Sequence, residues 1–532
     1  RAALLLLPLL VACQDPPAPA ADAAAPDLGE APDLSPPPPF RSALYPAAWT
    51  PAFSDGQGRF LHDFSYAGYR RGEAPIPAQV PGPERNVVKD HGADPSGARD
   101  STAAIQAAID ALPSGGLVRL PAGTYRVDGL LTVKRSGVVL RGEGADKSRL
   151  HFTRGRGLSD LANLTFSGAV AAGPLLPLSA DGAARSFTVA VADASSLRPG
   201  DDVSVGWTIS DAFVEEHGMK GVWSAFNGTW RPFFRRTVVS VDTARSPHVV
   251  TLDVPLRHGA LRRDGAAIRK ETGYLKECGL EDLGLSNAVA WDDAWSSLRA
   301  HAVDLIGVKD CWIQRVKSFA APRPEAQGYH LQSGGLRVKD GARVTIAEAE
   351  LRKAQNRGEG GCGYLFEIST SSEVLIRDAV AEDGRHNFIQ NWDFGTSGCV
   401  FLRVRSVGSR AFVDSKDTVG SAAASEFHHS LAMACLMDQV VIEDAWAALN
   451  RLLFSTGAGH TATESVFWNA RGSGRLLSYQ YGWGYVIGTT GLEVFTDPGS
   501  LSAIGTAPED YREGIGAGAS LEPASLYEDQ LR

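Results

Sequence analysis

The chain has 532 residues, 44% of them hydrophobic and 21% charged, with a formal net charge of −9 at pH 7. That length suits two or three ordinary domains or one elongated repeat architecture, and the acidic balance excludes the broad basic face that a nucleic-acid partner demands. No apolar run beyond the N-terminus is long enough to span a bilayer, which excludes a helical integral membrane protein.

In chain order, Arg1 precedes an apolar run from Ala2 to Ala12 that ends at Cys13, the charged-then-apolar layout of an export signal. Leu10-Val11-Ala12-Cys13 resembles a bacterial lipobox. That resemblance implies a lipid on Cys13 and a protein exported to the bacterial outer membrane, cell surface or periplasm. An ordinary signal peptide that contains a cysteine is the other reading. Residues 14–40, rich in Pro, Ala and Asp, bury too little apolar surface to fold and are expected to form an extended tether. In the segment 41–84, the stretch Phe64 to Pro75 is too aromatic for a linker. It is expected to pack on the body, covering its first coil or lining a groove, with Tyr66 and Tyr69 as anchors.

Residues 85–185 open the main body. Asn86 to Asp94 precede a helical pattern in which Asp100 or Ser101 caps the first turn and Ala104, Ile105, Ala108 and Ile109 form one buried stripe. Short β runs then follow, Leu117 to Leu120 and Val138 to Arg141, separated by glycine and proline turns. Three motifs, Asp90-His91-Gly92-Ala93-Asp94 with Asp100-Ser101-Thr102, Pro121-Ala122-Gly123-Thr124-Tyr125, and Leu140-Arg141-Gly142-Glu143-Gly144, resemble the entry to the pectate-lyase-like superfamily. The resemblance implies an all-β, right-handed, single-stranded parallel β-helix with a short N-terminal helix cap. It also implies an enzyme or binding protein for polysaccharides, as in polysaccharide lyases, glycoside hydrolases and tailspikes. These motifs mark where such a helix begins and not its chemistry.

From 186 to 265 the texture changes to Val/Thr strands and Gly/Pro turns, which predicts a small inserted antiparallel β unit. Its aromatic stretch, Trp207, Trp223, Trp230, Phe233 and Phe234, reads either as a sugar-stacking wall over a groove or as the insert's own core. Residues 266–505 carry strand-like repeats at Cys311 to Val316, Val344 to Ala347, Val374 to Arg377, Val400 to Arg403 and Val440 to Glu443, spaced as coils of a solenoid before a tail at 506–532. Five cysteines, Cys278, Cys311, Cys362, Cys399 and Cys435, show no Cys-x-x-Cys spacing and are expected as small core residues.

Aligning those repeats places Asn356-Arg357, Arg385-His386-Asn387, Ser409-Arg410 and Asn450-Arg451 at similar offsets, a polar and basic ladder along one face. Four of the twelve histidines, His386, His428, His429 and His460, fall between 384 and 464. For proton abstraction beside a uronate carboxylate, the needed groups are a base, a cationic neutraliser and an acid. His386 or His460, Arg451 and Tyr479 are the candidates for these roles. Asn356, Arg357, Arg385, Asn387, Asn391, Trp392, His429, Asn450 and Trp483 are candidate substrate contacts. Glycoside hydrolysis instead needs two carboxyl groups, for which Glu359, Glu367, Asp393 and Glu464 are available, with Asp393 and Glu464 kept as alternative acid and base. No metal-ligand spacing is present. His428, His429 and His460 with Asp393 or Glu464 form a zinc alternative, and Ca2+ is possible through Asp378, Glu382 and Asp383. The expectation is a monomeric polysaccharide lyase acting on an anionic polymer, with a hydrolase and a non-catalytic glycan-binding β-helix as alternatives.

Overall fold

The structure, a computed structural model, describes residues 39–416, 418–496 and 510–531. The expectations for Cys13, for residues 14–38 and for 506–509 lie outside the described residues.

Short strands stack into coils whose interior is one continuous apolar column running from Val87 to Val486. The strands form three parallel faces. The first runs through Gly116–Arg119, Val138–Arg141, Gly279–Glu281, Val308–Gln314, Ala342–Ala347, Leu375–Arg377, Val400–Leu402, Leu436–Asp438, Val466–Arg471 and Tyr485–Thr490. The second runs through Gly123–Val127, Ser148–Phe152, Gly284–Ser286, Glu350–Arg352, Val380–Glu382, Arg405–Val407 and Val441–Ile442. The third runs through Ala162–Ser167, His301–Ile306, Gly334–Lys339, Tyr364–Ser369, His386–Asn391, Ser425–Phe427, Ala445–Ala448 and Arg475–Ser478. Because side chains alternate along each strand, every face sends one set of residues into the column and one set outward. The fold is therefore the expected parallel β-helix.

Helix α1, Thr102–Asp110, packs Ile105, Ala108 and Ile109 onto the start of the column. Asp100 serves its first turn by accepting from the Thr102 amide at 2.9 Å, while the Ser101 hydroxyl accepts no bond from that turn and accepts instead from the Asp94 amide. The insert is wider than 186–265, since its antiparallel strands begin at Ala171–Ala172 and end with Ala267–Thr272. Trp207, Trp223, Phe233 and Phe234 are buried in its core, with Trp207 and Phe233 stacked at 3.7 Å, so the sugar-stacking wall is not what this stretch builds.

The segment from Phe40 to Val80 lies along the outside of the first face and does not cap the first coil. Phe64 and Tyr69 are buried there, and Tyr69 donates to Glu277 at 2.6 Å with its ring against Trp312. Tyr66 is half-buried against Phe187 of the insert. Gly68 makes the close approach possible: a Cβ there would lie 2.9 Å from Thr345 Oγ1, and its φ of +96° is one that few other residues adopt. Helix α2, Leu526–Gln530, completes this cover. All five described cysteines are buried and free, with Cys278 beside Cys311 and Cys399 beside Cys435 on adjacent coils.

Candidate functional site

Outward residues of the third face form a row of charge. Asp304, Arg337, Glu367, Ile389 and Glu426 occupy successive coils at one register position. Arg337 donates to Asp304 at 3.0 Å. Glu367 contacts His301 Nε2 at 2.9 Å and accepts from Asn391 Nδ2 at 3.0 Å. Burial alone would raise Glu367, yet the hydrogen bond to His301 and the charge of Arg337 hold it down to about 2.

Above the C-terminal part of this row lies a pocket of about 410 Å³, lined among others by Arg299, Glu359, Tyr364, Arg385, Asn391, Trp392, His428 and Arg451. Its floor is built from strand geometry. Tyr364 and His386 begin adjacent strands and pair in register, while Glu426 and His428, two residues apart, point the same way. The rings of Tyr364, His386 and His428 lie 5.2–6.0 Å apart, and Glu426 touches His428 Nδ1. Arg451 Nη1 lies 2.8 Å from both the carbonyl oxygen and Nδ1 of His428, and 3.7 Å from Glu426 Oε1. One wall is the turn at Phe454–Gly457, where Ser455 and Thr456 both adopt positive φ. Such strain persists only where the surroundings enforce it, and it gathers at ligand sites.

The electrostatics follow from burial. Desolvation pushes His386 down to about 3 and His428 below its ordinary value, so both imidazoles stand neutral at neutral pH. Burial likewise pushes the Tyr364 phenol up, so it stays protonated. For Glu426 burial would raise the carboxyl, but the neighbouring imidazoles and the Arg451 guanidinium hold it below the carboxylate range. The pocket thus combines cationic side chains, a phenolic donor and proton-free acceptors. A larger hollow of about 690 Å³ lies beside the first coils, but its Arg126 and Asp128 are spent on each other at 2.7 Å. The smaller pocket is the better site because it gathers arginines, a phenol and two imidazoles, although Arg299 is paired with Asp160, Arg385 donates to the Gly358 carbonyl and Arg451 bonds His428.

Of the residues singled out from sequence, Glu359, Arg385, Asn391, Trp392 and Arg451 line the pocket and His386 lies in its floor. His429 stands behind Trp392, ring to ring at 4.3 Å. The others lie elsewhere. His460 is buried beside Tyr481 and 3.5 Å from Asn450, and Tyr479 is buried just after the third-face strand Arg475–Ser478. Asn356 holds the Ala294 and Ser297 carbonyls, and Arg357 is buried over Phe412. Asn387, within the strand His386–Asn391, donates to Ser406 and the Val407 carbonyl of the second face, and Trp483 packs under Arg59 near the N-terminal cover. Asp393 is tied to Arg231 of the insert at 2.8 Å, and Glu464 to His62 at 2.8 Å.

Neither proposed ion cluster assembles. His428, His429 and His460 share no centre with Asp393 or Glu464, and Asp378 and Glu382 are engaged by Arg403 and Arg352. Sequence reasoning did not give Tyr364, Arg299 or Glu426 a place in the site, and it placed His428 only in the zinc alternative. The available signal was a charged residue in the middle of an apolar strand, as in Asp304, Arg337 and Glu367.

Residues 84–192 match the family model described as rhamnogalacturonase A/epimerase, pectate lyase-like, the stretch that carries the three entry motifs. Mannuronan C5-epimerase AlgE3 of Azotobacter vinelandii is 49% identical over 77 residues, which are 13% of this chain and 4% of that protein. The epimerase AlgE5 of the same organism is 48% identical over 77 residues, 8% of its length. The chain therefore spans only a small part of the curated relatives it matches. Among solved structures, the tailspike gp61 of Pseudomonas phage phi297 is 14% identical, with 78% of this chain and 76% of that one covered and a TM-score of 0.44. The A-module of the A. vinelandii epimerase AlgE6 is 13% identical, covers 81% and 98%, and has a TM-score of 0.31.

Proposed function

We propose, from the premise of a pectate-lyase-like β-helix, that this chain is a polysaccharide-modifying enzyme that removes the proton beside the carboxylate of a uronate unit and carries the reaction on to β-elimination. The observation that carries the reading is the gathering of Arg385 and Arg451 with Tyr364 and the His386–Glu426–His428 floor in one pocket, where Arg299 stands paired with Asp160. A C–H proton next to a carboxylate is too weakly acidic to leave until that carboxylate is neutralised, and guanidinium forks meet carboxylates in bidentate geometry. The proton-free acceptors of the floor receive the C5 proton. Tyr364, kept protonated by burial, donates to the departing glycosidic oxygen. The names of the epimerase relatives point to the same C5 position on a uronate polymer, and epimerisation and elimination share this first proton transfer. Export and a lipid anchor at Cys13 belong to the same proposal, since a polymer is met outside the cell.

Hydrolysis fits less well. It needs a pair of carboxyl groups, one of which stays protonated, whereas Glu367 and Glu426 are held ionised, Asp393 and Glu464 are committed to Arg231 and His62, and Glu359 is the one of the four sequence candidates that lines the pocket.

The test is incubation of the protein with uronate-containing and neutral polysaccharides in deuterated buffer, following unsaturated-uronate absorbance, reducing ends and deuterium at C5. Absorbance and reducing ends rising together support the lyase. Deuterium at C5 without chain cleavage keeps the proton abstraction and replaces elimination by epimerisation. Reducing ends alone overturn the reading.

A further inference from the structure

The floor of the pocket presents acceptors to one another without enough hydrogens between them. His386 Nδ1 faces the Ala424 carbonyl at 2.6 Å, so the ring hydrogen sits there and Nε2 is a bare lone pair. That Nε2 is buried, makes no hydrogen bond and lies 3.5 Å from Glu426 Oε1, in a side chain that is only 5% exposed. His428 Nδ1 touches Glu426 Oε1 and also faces Arg451 Nη1, which carries only hydrogens; in the tautomer with the ring hydrogen on Nε2, 3.3 Å from Ser455 Oγ, Nδ1 accepts from Arg451 and is a lone pair as well. Both imidazoles therefore give their N–H to an outer oxygen and turn a lone pair inward, the arrangement that fixes metal-binding histidines. Between them stands the Glu426 carboxylate, and the three ligand atoms all lie within 4.8 Å of one another. Arg451 Nη1 directs its hydrogens to His428 and leaves His386 Nε2 unserved.

Three converging acceptors, one of them without any donor, call for a cation at their centre. We infer that His386 Nε2, Glu426 and His428 Nδ1 bind a first-row divalent cation of the zinc class, with its remaining position open to the pocket. Two nitrogens and one carboxylate oxygen select such an ion over calcium, which takes six to eight oxygens. Three protein ligands with an open fourth position make a catalytic kind of site and not a structural one. The inference rests on the proposed function for its role and amends one step of it: the ion occupies the lone pairs of the floor, so a hydroxide on its open position, and not the imidazoles, takes the C5 proton to become water while the arginines neutralise the uronate carboxylate. Arg451 then turns from His428 toward the pocket that it already lines.

The experiment uses untagged protein stripped with a chelator and titrated with Zn2+ by calorimetry and with Co2+ by visible absorption, with no substrate present. One equivalent bound, together with the visible bands of a low-coordinate Co2+ centre, is the expected result. Glu426→Gln and His386→Asn should each weaken binding by about 100-fold or more while near-ultraviolet dichroism stays unchanged. Zn2+ should raise the melting temperature of the wild type and not of these variants. Absence of stoichiometric binding, or binding that Glu426→Gln leaves intact, overturns the inference. Failure of the ion and failure of the proposed reaction are distinguishable. Polymer cleavage that survives chelation in a protein that binds no Zn2+ removes the ion alone, and tight Zn2+ binding without any change in uronate polymers removes the reaction alone.

Discussion

The first and third faces of the β-helix share one interior and differ entirely outside. On the first face a single outward row runs Leu117, Val139, Gly279, Trp312, Thr345, Leu375, Val400, Leu436, Val466 and Tyr485, apolar except at Thr345 and covered by the N-terminal segment and α2. The matching position on the third face is the charged row Asp304, Arg337, Glu367 and Glu426, covered by loops that leave a pocket. Each face also buries one telling carboxyl group. Asp438 on the first face accepts only from Ser525 Oγ at 2.7 Å and the Tyr527 amide at 2.9 Å, and burial pushes it up to about 7. Glu367 on the third face has His301, Arg337 and Asn391 and is held down to about 2. A buried acid stays neutral where only dipoles meet it and ionises where cations do. The first face is thus built for cover and the third for chemistry.

The largest effects should separate the faces by what is lost. Tyr364→Phe removes the phenolic proton and should cut turnover on a uronate polymer by about 10²–10⁴-fold, equivalent to about 3–5 kcal/mol of barrier, with an unchanged melting temperature. Trp468→Ala should do the reverse. Its ring is fully buried on the first face against Tyr45, and its Nε1 donates to the Pro523 carbonyl. Truncation leaves a cavity that costs about 3–5 kcal/mol of stability in denaturant titration, and the surviving folded protein should keep its specific activity. A loss of activity in the second variant that exceeds the unfolded fraction would break the division between the faces.

The two carboxyls give the pH dependence opposite signs. Asp438 has a folded value raised above its ordinary 3.8, so the stability it contributes is full below that ordinary value and is lost as pH rises through about 7. Glu367 is lowered, so its contribution is present above its ordinary 4.5 and is lost only as pH falls through about 2. Between about pH 5 and about pH 8 the histidines held below their ordinary value, His386 and His460 among them, add stability as pH rises, so the Asp438 effect shows as a falling slope of up to a few kcal/mol in the wild type relative to Asp438→Asn. Asp438→Asn keeps an acceptor for Ser525 and should flatten that slope, as read from melting curves across the same range. An unchanged slope would show that the α2 clasp does not hold a neutral acid.

The difference between the faces also explains what the sequence discloses. Strand existence was legible at Val308–Gln314, Ala342–Ala347, Leu375–Arg377 and Val400–Leu402, because apolar alternation bounded by turns is local. Which face a strand belongs to was not. The repeat at Val440 to Glu443 was aligned with Val400 to Arg403, yet Leu402 pairs with Asp438, and Ile442 pairs with Ser406 on the second face. Variable loops between faces make coil spacing an unreliable ruler, so the ladder through Asn356, Asn387 and Asn450 mixed turn residues with groove residues. Arg385, Asn391, Trp392 and Arg451 were found because polar and aromatic density in one segment is local. Tyr364 and Arg299 reach the pocket from other coils, and nothing near them in the chain announces it.

Trp392 tests the third face at its edge. Its ring is 44% exposed at the pocket rim and backed by His429, on a turn where Trp392 and Asp393 both take positive φ and Asp393 is held by Arg231 of the insert. A large apolar side chain left open to solvent in a forced conformation is placed for a sugar ring to stack on it. Trp392→Ala should raise KM about 2–10-fold, the worth of one aromatic contact of about 0.5–1.5 kcal/mol, and leave kcat unchanged. A fall in kcat with KM unchanged would move Trp392 from the rim into the reacting centre, and the third face would then divide chemistry from binding at a different residue.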